Sequence, residues 1–273
     1  MHSWIDGQPA TAVNLHNRGL AYGDGLFETI AVRAGKPSLL ELHLQRLALG
    51  CQRLAISIDL PLVRDELLRF ASQLGDGVAK LIVTRGDSQR GYAPGVGAAA
   101  RRILQGSPLP QYPAVNAELG VRLFACQTRL AEQPLLAGLK HLNRLEQVLA
   151  RAEWQDAEHA EGLVCDSHGR VIEGVYSNLF MVRGGVLQTP ELSRCGVAGV
   201  MRGALLTQAP ALGISVQVSD LALADLEQAE EVFLCNSVYG IWPVLECSAL
   251  KLNWPAGPLT RKLQAVARTL LDT

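Results

Sequence analysis

A proline-rich break near the middle of the chain constrains its architecture more than any other feature of the sequence. Residues 106–120 contain three prolines, little charge and no pattern of a helix or a strand. This composition is typical of a linker between domains, because proline and glycine interrupt both kinds of element. We therefore predict a smaller N-terminal domain over residues 1–106, an interdomain linker over residues 107–120 and a larger C-terminal domain over residues 121–273.

The N-terminal part combines the alternating pattern of strands with the longer period of helices. A strand over residues 3–6, an Asp6-Gly7 turn and a second run near residues 11–15 predict that the chain opens with a β-meander. Farther along, apolar residues recur with the spacing of a helix face. The other predicted elements are strands over residues 26–32, 78–84 and 102–104 and helices over residues 41–54 and 62–74.

The C-terminal part alternates strands with helices. Turn signals separate the elements, including residues 166–169 and a glycine-rich loop before residue 199. We therefore predict a two-domain mixed fold of the α+β or α/β class. The predicted strands are 121–125, 162–165, 178–182, 186–189, 214–218 and 231–235, and the predicted helices are 144–155, one from residue 199, 222–229 and one closing the chain.

The charge balance argues against two classes of partner. The chain has 25 basic and 26 acidic side chains and no long basic run. It therefore lacks the basic footprint by which proteins bind nucleic acid or an anionic membrane. Apolar residues make up 48% of the sequence, an ordinary value for a globular protein with a buried core. The expected partner is a small molecule.

Neither a targeting segment nor a metal site is predicted. Asp6 interrupts the N-terminus before an apolar signal region could form, and no uncharged stretch is typical of a membrane span. We therefore expect a cytoplasmic protein. The six cysteines form no C-x-x-C pair and the six histidines form no H-x-x-x-H pair, so buried free thiols and no metal are expected.

Residues 138–151 place Lys140 just outside a helix. Asn143, followed three residues later by Glu146, predicts an N-cap with a capping box, so that the helix begins after Lys140. A lysine in this turn, with Arg144 close by in sequence, is a candidate for a lowered pKa, because a nearby positive charge disfavours the ammonium form. A lysine of this kind can form a Schiff base; the alternative is a solvated lysine. The predicted apolar stripe of the helix is Leu145, Val148, Leu149 and Ala152.

Three segments could bind an anion. Glycines at residues 196 and 199 precede a predicted helix, whose first backbone amides would face a negative group. Ser237 follows a predicted strand, and Arg46 lies on one polar helix face with His43, Gly50 and Arg53. A guanidinium suits phosphate because of its bidentate fork. The alternatives are an ordinary loop, a plain turn and a solvated arginine.

Glu173 ends an apolar run and precedes a glycine. A buried carboxylate must be paired, whereas a carboxylate at a strand end can lie in water, and both interpretations are open. If Glu173 is buried, it could pair with a protonated ring nitrogen. A lysine, such a carboxylate and a multi-point anion site are together what a protein contributes to pyridoxal 5'-phosphate (PLP).

The sequence resembles the fold-type IV PLP enzymes, which include branched-chain aminotransferases, D-amino-acid aminotransferases and 4-amino-4-deoxychorismate lyases. The resemblance implies a two-domain fold like that of the D-amino-acid aminotransferases, and a homodimer. The motifs that carry it are residues 17–29 (NRGLAYGDGLFET), 43–47 (HLQRL), 138–151 (GLKHLNRLEQVLAR), 173–180 (EGVYSNLF), 199–202 (GVMR) and 236–237 (NS).

The resemblance also implies roles for single residues. Lys140 is the expected catalytic residue. The expected cofactor-binding residues are Arg46, Lys140, Glu173, Asn178, Val200, Met201, Asn236 and Ser237. The expected substrate-binding residues are Tyr22, Arg90, Tyr92 and Arg144.

Within the family, residues 138–151 resemble the bacterial lyases most. A branched-chain aminotransferase is expected to carry a tyrosine where this chain has Leu145, and Tyr92 stands where the D-amino-acid enzymes have histidine. The resemblance thus implies a PLP-dependent lyase that converts 4-amino-4-deoxychorismate to 4-aminobenzoate and pyruvate in folate biosynthesis. The alternatives are a D-amino-acid or branched-chain aminotransferase and a non-catalytic PLP-binding protein.

Overall fold

The computed structural model describes residues 2–89, 91–95 and 97–272. The chain forms two compact units. The first comprises Met1–Pro110, Leu139–Asn143 and Leu271–Thr273, and the second comprises Gln111–Gly138 and Arg144–Leu270. The five-residue segment around Lys140 therefore packs with the first unit, although the second unit supplies the chain on both sides of it.

The first unit is built on a six-stranded antiparallel sheet with the strand order β2-β1-β6-β5-β3-β4. Its strands are β1 (His2–Ile5), β2 (Gln8–Pro9), β3 (Gly25–Arg33), β4 (Lys36–Pro37), β5 (Gly77–Thr84) and β6 (Arg101–Ser107), and its helices are α1 (Arg18–Tyr22), α2 (Leu40–Arg53) and α3 (Leu60–Leu74).

The start of the chain is a hairpin shorter than predicted. Asp6 and Gly7 form its turn, both with positive φ, as a two-residue hairpin of the primed type requires. The predicted second strand over residues 11–15 is wrong: β2 ends at Pro9, which cannot donate to a ladder, and the residues after it are exposed. Helix α1 was not predicted, because five residues carry too little periodicity.

The core of the first unit lies between the sheet and helices α2 and α3. Asp59 caps α3 by accepting a hydrogen bond from Leu62 N at 3.0 Å, and Pro61 occupies its first turn. Both helices bury one apolar stripe, as their sequence period predicts. The buried side chains include Leu44, Leu47, Cys51, Val63, Leu67 and Phe70 from the helices and Ile30, Leu81 and Leu104 from the sheet.

The second unit is a large mixed sheet with helices around it. The strand order is β12-β11-β10-β14-β15-β7-β8-β9-β13, with β16 beside β15. The strands are β7 (Val121–Leu130), β8 (His159–Asp166), β9 (Arg170–Gly174), β10 (Asn178–Arg183), β11 (Val186–Pro190), β12 (Val216–Ser219), β13 (Leu221–Ala222), β14 (Glu231–Asn236), β15 (Gly240–Cys247) and β16 (Leu252–Asn253), and the helices are α4 (Val115–Glu118), α5 (Leu145–Ala152), α6 (Val200–Ala211), α7 (Leu223–Glu227) and α8 (Pro258–Asp272).

One extra pairing closes part of this sheet into a ring. Strand β10 pairs with β14 along its length and also with β9 through Asn178 and Glu173. Strands β10, β14, β15, β7, β8 and β9 therefore form a closed six-stranded barrel, and its seam lies where Glu173 faces Asn178. The barrel interior is apolar, and its buried residues include Leu123, Leu163, Leu179, Leu234, Trp242 and Val244.

Helix α4 and strands β9, β13, β15 and β16 of the second unit were not predicted from the sequence. Strand β15 contains Pro243, which argues against a strand, but its residues 240–244 pair with β14. Helix α4 lies inside the predicted linker, where no element was expected. It begins after Pro113, the last proline of the break, and so avoids the interruption that proline causes inside a helix.

Helix α5 begins after Lys140, as predicted, but not through the predicted cap. Its N-cap residue is Arg144, with no side-chain capping bond. The Asn143 amide donates to Gly23 O at 3.4 Å, and Glu146 Oε1 accepts from Ala131 N at 2.8 Å, so tertiary partners take both predicted capping groups. The predicted apolar stripe is also not buried within the chain, because Leu145, Val148 and Leu149 are 76%, 59% and 60% exposed.

The prediction of buried free thiols is confirmed for all six cysteines. Burial raises the pKa of Cys51 and Cys247 to about 11 and that of Cys126 to about 12, so these thiols stay protonated at neutral pH. Within the described ranges, every helix is too short or too polar to cross a membrane.

Candidate active site

Strand β3 holds the backbone of the Lys140 segment on both sides of His141, the residue after the lysine. Phe27 N donates to Lys140 O at 2.9 Å, and Leu142 N donates to Gly25 O at 3.0 Å. The Lys140 ammonium lies 4.4 Å from the centre of the Phe27 ring, a distance at which a cation and an aromatic face attract. Lys140 is thus a half-buried lysine held against the sheet. Its lowered pKa remains a prediction.

A buried charge cluster lies next to this segment. Glu28, on the core face of β3, accepts from Arg46 Nε at 2.9 Å and from Arg46 Nη2, and its Oε2 lies 2.6 Å from His43 Nδ1. Burial alone would raise the pKa of Glu28, but Arg46 and His43 together lower it to about 2. Glu28 is therefore ionised, and it orients the Arg46 fork.

The helix face that carries Arg46 is less solvated than the sequence suggested. His43 is fully buried, and burial lowers its pKa, as do the charges of Arg46 and Lys140, while Glu28 raises it. A neutral ring donates to Glu28 through Nδ1 and leaves Nε2 as an acceptor. Nε2 has no hydrogen-bond partner within the described residues. A buried orphan atom of this kind points to a ligand or a water.

Two of the predicted substrate-binding residues come together in the first unit. The Tyr22 hydroxyl accepts from Gly91 N at 3.1 Å, and the Tyr22 and Tyr92 rings are 5.4 Å apart. Buried Arg18 secures this loop by donating to Tyr92 O at 2.7 Å and Gly91 O at 3.0 Å. Tyr92 itself is 85% exposed. Arg90 lies outside the described residues.

In the second unit, Glu173 and Asn178 share one partner, the backbone of Val197. Val197 N donates to Glu173 Oε2 at 2.9 Å, and Asn178 Nδ2 donates to Val197 O at 2.8 Å. Glu173 is buried at the barrel seam. Of the two interpretations that the sequence left open, the structure thus favours the buried, paired carboxylate over a strand end in water.

The Val197 loop leads into the N-terminus of helix α6. Gly199 precedes the helix, and a Cβ there would overlap Asn178 Oδ1, so only glycine fits. The first amides of a helix have no acceptor within it and form its positive end. Val200 and Met201 bury their side chains, so they would meet an anion through these amides. Arg202 donates to Pro190 O at 2.8 Å and braces β11.

Asn236 is the last residue of β14, and Ser237 follows it in the turn before β15. Asn236 Oδ1 accepts from Val238 N at 2.9 Å and from Tyr239 N at 3.0 Å, and its amide donates to Tyr176 O at 3.4 Å. The Asn236 side chain therefore shapes the turn that presents Ser237.

Arg144 is closer to carboxylates than the sequence indicated. Burial lowers its pKa, whereas the charges of Glu173 and Glu146 raise it. Arg144 therefore places a positive charge near Glu173 within the second unit. A contact between Arg144 and a substrate remains a prediction.

A possible cation cluster of Glu132, Asp166 and His168 also lies in the second unit. The positive charge that pairs with the two carboxylates there is the guanidinium of Arg170. Its Nε donates to Asp166 Oδ2 at 2.6 Å, and its Nη2 donates to Glu132.

Sequence reasoning gave no role to Glu28, Arg18 or Glu161. A signal was present for Glu28. It lies two residues from both Leu26 and Ile30 on β3, so its side chain shares their core-facing side of the strand. No comparable signal marks Arg18, whose loop partners Gly91 and Tyr92 lie about 70 positions away. Glu161 begins an apolar run, and its partners in the turn between β9 and β10 follow fourteen or more residues later.

The chain matches the family model for amino-transferase class IV over residues 25–247. This match includes Lys140 and every other predicted site residue except Tyr22.

Three individual proteins show similarity over nearly the whole chain. A structure of 4-amino-4-deoxychorismate lyase from Pseudomonas aeruginosa has a TM-score of 0.97 and 62% identity, with 99% of this chain and 100% of that chain covered. The aminodeoxychorismate lyase of Vibrio harveyi is 39% identical over 97% of this chain and 99% of its own length. A hypothetical aminotransferase from Mycobacterium tuberculosis, solved in a PLP-bound form, shares the fold with a TM-score of 0.85 and 21% identity over 99% of both chains.

Proposed function

This chain belongs to the amino-transferase class IV family, and we propose that it is a PLP-dependent lyase converting 4-amino-4-deoxychorismate to 4-aminobenzoate and pyruvate. The observation that carries the proposal is the similarity to the Pseudomonas aeruginosa lyase over nearly the whole length of both chains. The product 4-aminobenzoate implies a place in folate biosynthesis.

The donors and acceptors within each unit fit PLP. The first unit offers an amine at Lys140 and, near it, the Glu28-bound Arg46 guanidinium and the orphan His43 Nε2. The second unit offers the buried Glu173 carboxylate and the first amides of α6, behind a glycine that tolerates no side chain. When bound, PLP supplies an electron sink for a carbanion. We propose that Lys140 holds its aldehyde carbon and that Glu173 faces its ring nitrogen.

For the phosphate, we propose contacts from Arg46, Ser237 and the amides of Val200 and Met201. A charge-assisted guanidinium contact and helix amides are both favourable for a doubly charged group. Asn178 and Asn236 are proposed to support the cofactor by shaping the loops around it, since their side chains are bonded to backbone groups.

Lys140 is the proposed acid-base residue, because its amine would be free once the substrate amine has replaced it on the cofactor. It would then remove the proton from the ring carbon that bears the substrate amine, and the bond to the enolpyruvyl oxygen would break as the ring becomes aromatic. Lys140 next delivers the proton to the methylene carbon of the leaving group, which departs as pyruvate. Atoms balance without a second substrate, because the amine stays on the product. Proton transfer by one positioned group contributes about 100-fold or more to a rate.

Substrate binding is proposed to involve Tyr22, Arg90, Tyr92 and Arg144. The substrate carries two carboxylates, which favour arginine partners. The Tyr22–Tyr92 ring pair, held by buried Arg18, supports an aromatic wall at this position.

We further propose a homodimer in the cytoplasm. Three exposed apolar side chains on α5 support the dimer, because a cluster of this kind on a surface helix is typical of an interface. Six buried, unpaired cysteines support a reducing compartment.

The deciding experiment incubates purified protein with 4-amino-4-deoxychorismate and no keto acid, and measures 4-aminobenzoate and pyruvate. We expect equal amounts of both products over many turnovers. An absolute requirement for a keto acid would favour the aminotransferase alternative. PLP binding without either reaction would favour a non-catalytic PLP-binding protein.

A further inference from the structure

A second buried carboxylate, Glu161, lies beneath the turn that joins β9 to β10. Its side chain is fully buried, and it begins the apolar part of β8. Its Oε1 accepts from Gly162 N at 2.9 Å and Val175 N at 3.0 Å, and its Oε2 accepts from Tyr176 N at 3.3 Å and Ser177 Oγ at 2.8 Å. Three of these four donors belong to the turn.

The turn rests directly on this carboxylate. Gly174 N donates to Ser177 O at 2.8 Å, which closes the turn. A Cβ at Gly174 would lie 3.1 Å from Glu161 Cδ and would overlap Ser177 Oγ, so no side chain fits between the turn and Glu161. The turn backbone therefore packs directly against the Glu161 side chain.

The residues at the two ends of this turn are Glu173 and Asn178. They face each other at the barrel seam, and both bind the backbone of Val197. A shift of the turn would therefore change the distance between Glu173 and Asn178. It would also change the hydrogen bonds that both residues make to the backbone of Val197, in the loop before α6.

We propose that Glu161 is a positioning residue: by binding the turn at residues 174–177, it holds Glu173 and Asn178 in the arrangement that PLP binding uses. The inference rests on the proposed PLP dependence. A misplacement of about 1 Å at a reacting centre costs about 100-fold in rate, so a residue that touches neither cofactor nor substrate can control turnover.

The test compares Glu161→Gln with a matched control, Glu231→Gln. Glutamine offers one acceptor oxygen and an NH₂ group, so at least one turn donor would face another donor. Glu231 is also buried in the second unit and also binds two backbone amides, those of Leu259 and Thr260 at the start of α8. Both variants lose a buried carboxylate, but only Glu161→Gln disturbs the turn.

Three quantities are measured for both variants and the natural sequence. They are hydrogen exchange of the peptide covering residues 173–178, the absorption of bound PLP as a function of pH, and kcat and KM for the lyase reaction. For Glu161→Gln we expect faster exchange in this peptide, an altered PLP absorption and a kcat lowered by about 10- to 100-fold with KM changed by less than about threefold. Glu231→Gln should leave exchange, PLP absorption, kcat and KM equal to those of the natural protein, even if its melting temperature falls.

The inference is overturned if exchange, absorption and kcat of Glu161→Gln equal those of the natural protein, or if the control changes them equally. If Glu161→Gln does not fold, Ser177→Ala is measured in its place, because it removes one of the four hydrogen bonds to the Glu161 carboxylate. It must then show smaller changes of the same kind in exchange, absorption and kcat. If the natural protein binds no PLP, the proposed function fails, whereas unchanged exchange refutes the role of Glu161 in the turn whatever the cofactor result.

Discussion

At the scale of single residues, the candidate site depends on charges that are buried with their partners. Glu28 is ionised inside the first unit because Arg46 and His43 surround it. Removing one member of such a group leaves an uncompensated charge, which costs far more than the intact group contributes. Predictions for these residues must therefore separate lost binding from lost stability.

Lys140 should carry the cofactor. Reduction of the PLP-loaded protein with borohydride should abolish its yellow colour and fix the cofactor to the peptide containing Lys140. Lys140→Ala should still bind PLP through the phosphate contacts but lose at least about 100-fold in kcat. Lys80→Ala is the matched control, because Lys80 also places its ammonium near the Phe27 ring, at 5.3 Å. Recovery of the label on another lysine would refute the assignment.

Arg46→Ala should weaken both PLP binding and stability. The lost phosphate contact is worth about 1.5 to 3 kcal/mol, or about 10- to 100-fold in Kd, and unpaired Glu28 should lower the free energy of unfolding by about 3 kcal/mol or more. Arg102→Ala breaks a similar pair with buried Glu66 in the same unit, with contacts of 2.8 and 3.0 Å. This control should lose stability but keep its PLP affinity. Equal Kd values for the two variants in a PLP titration would contradict the phosphate role.

At the scale of elements, several predicted site residues lie where strands and helices end. Side chains from other elements hold the loop before α6 and the turn between β9 and β10. The segment before α5 is held by its own Asn143 side chain, which donates to Gly23 O. Such contacts allow a loop to keep one conformation, because they satisfy backbone groups that the loop itself leaves unpaired.

The turn between β9 and β10 should give the protein a pH-dependent stability. Burial raises the pKa of Glu161 to about 7, although its hydrogen bonds oppose the shift. The native state therefore binds a proton on the Glu161 carboxyl group more tightly than the unfolded chain does. The contribution of Glu161 to the free energy of unfolding is fully present below the unfolded pKa of about 4.5. This contribution declines by about 3 kcal/mol as the pH rises to about 7.

Denaturant unfolding between pH 4.5 and 8 measures this decline. Relative to the natural protein, Glu161→Gln should show a flatter curve, since its side chain does not titrate. Burial and the charge of Glu161 both raise the pKa of Tyr112, Tyr176 and Tyr239, so these neighbours stay neutral over this range. Parallel curves for the two proteins would contradict the assignment.

At the scale of the whole molecule, helix α5 presents an exposed apolar face. Leu145, Val148 and Leu149 follow the helical spacing of a buried stripe, yet all three are more than half exposed. A second copy of the chain is the partner that the family resemblance implies.

Val148→Glu should therefore convert a dimer into a monomer. A charge at the centre of an apolar interface must be desolvated without a counter-ion, which costs several kcal/mol. Val218→Glu, on the exposed strand β12, is the control and should leave the mass unchanged. Light scattering during size-exclusion chromatography gives the mass. A natural protein that runs as a monomer would refute the dimer.

Local sequence patterns were sufficient to predict many of the secondary-structure elements of this protein. Apolar periodicity located α2, α3 and β5 to within one or two residues, and the turn before α5 placed Lys140 outside the helix. These features depend on backbone bonds and burial within a few neighbouring residues, so a short window contains their cause.

Only the tertiary structure decided which groups became partners. Asn143 and Glu146 carry a local capping signal, but the structure brings Gly23 and the Ala131 amide to them instead. Pro243 argues locally against a strand, and pairing with β14 overrides it. The buried Glu28 cluster and the Glu161 turn arise in the same way: each joins residues that are distant in sequence, and a buried polar group bonds with whichever donors the folded chain places beside it.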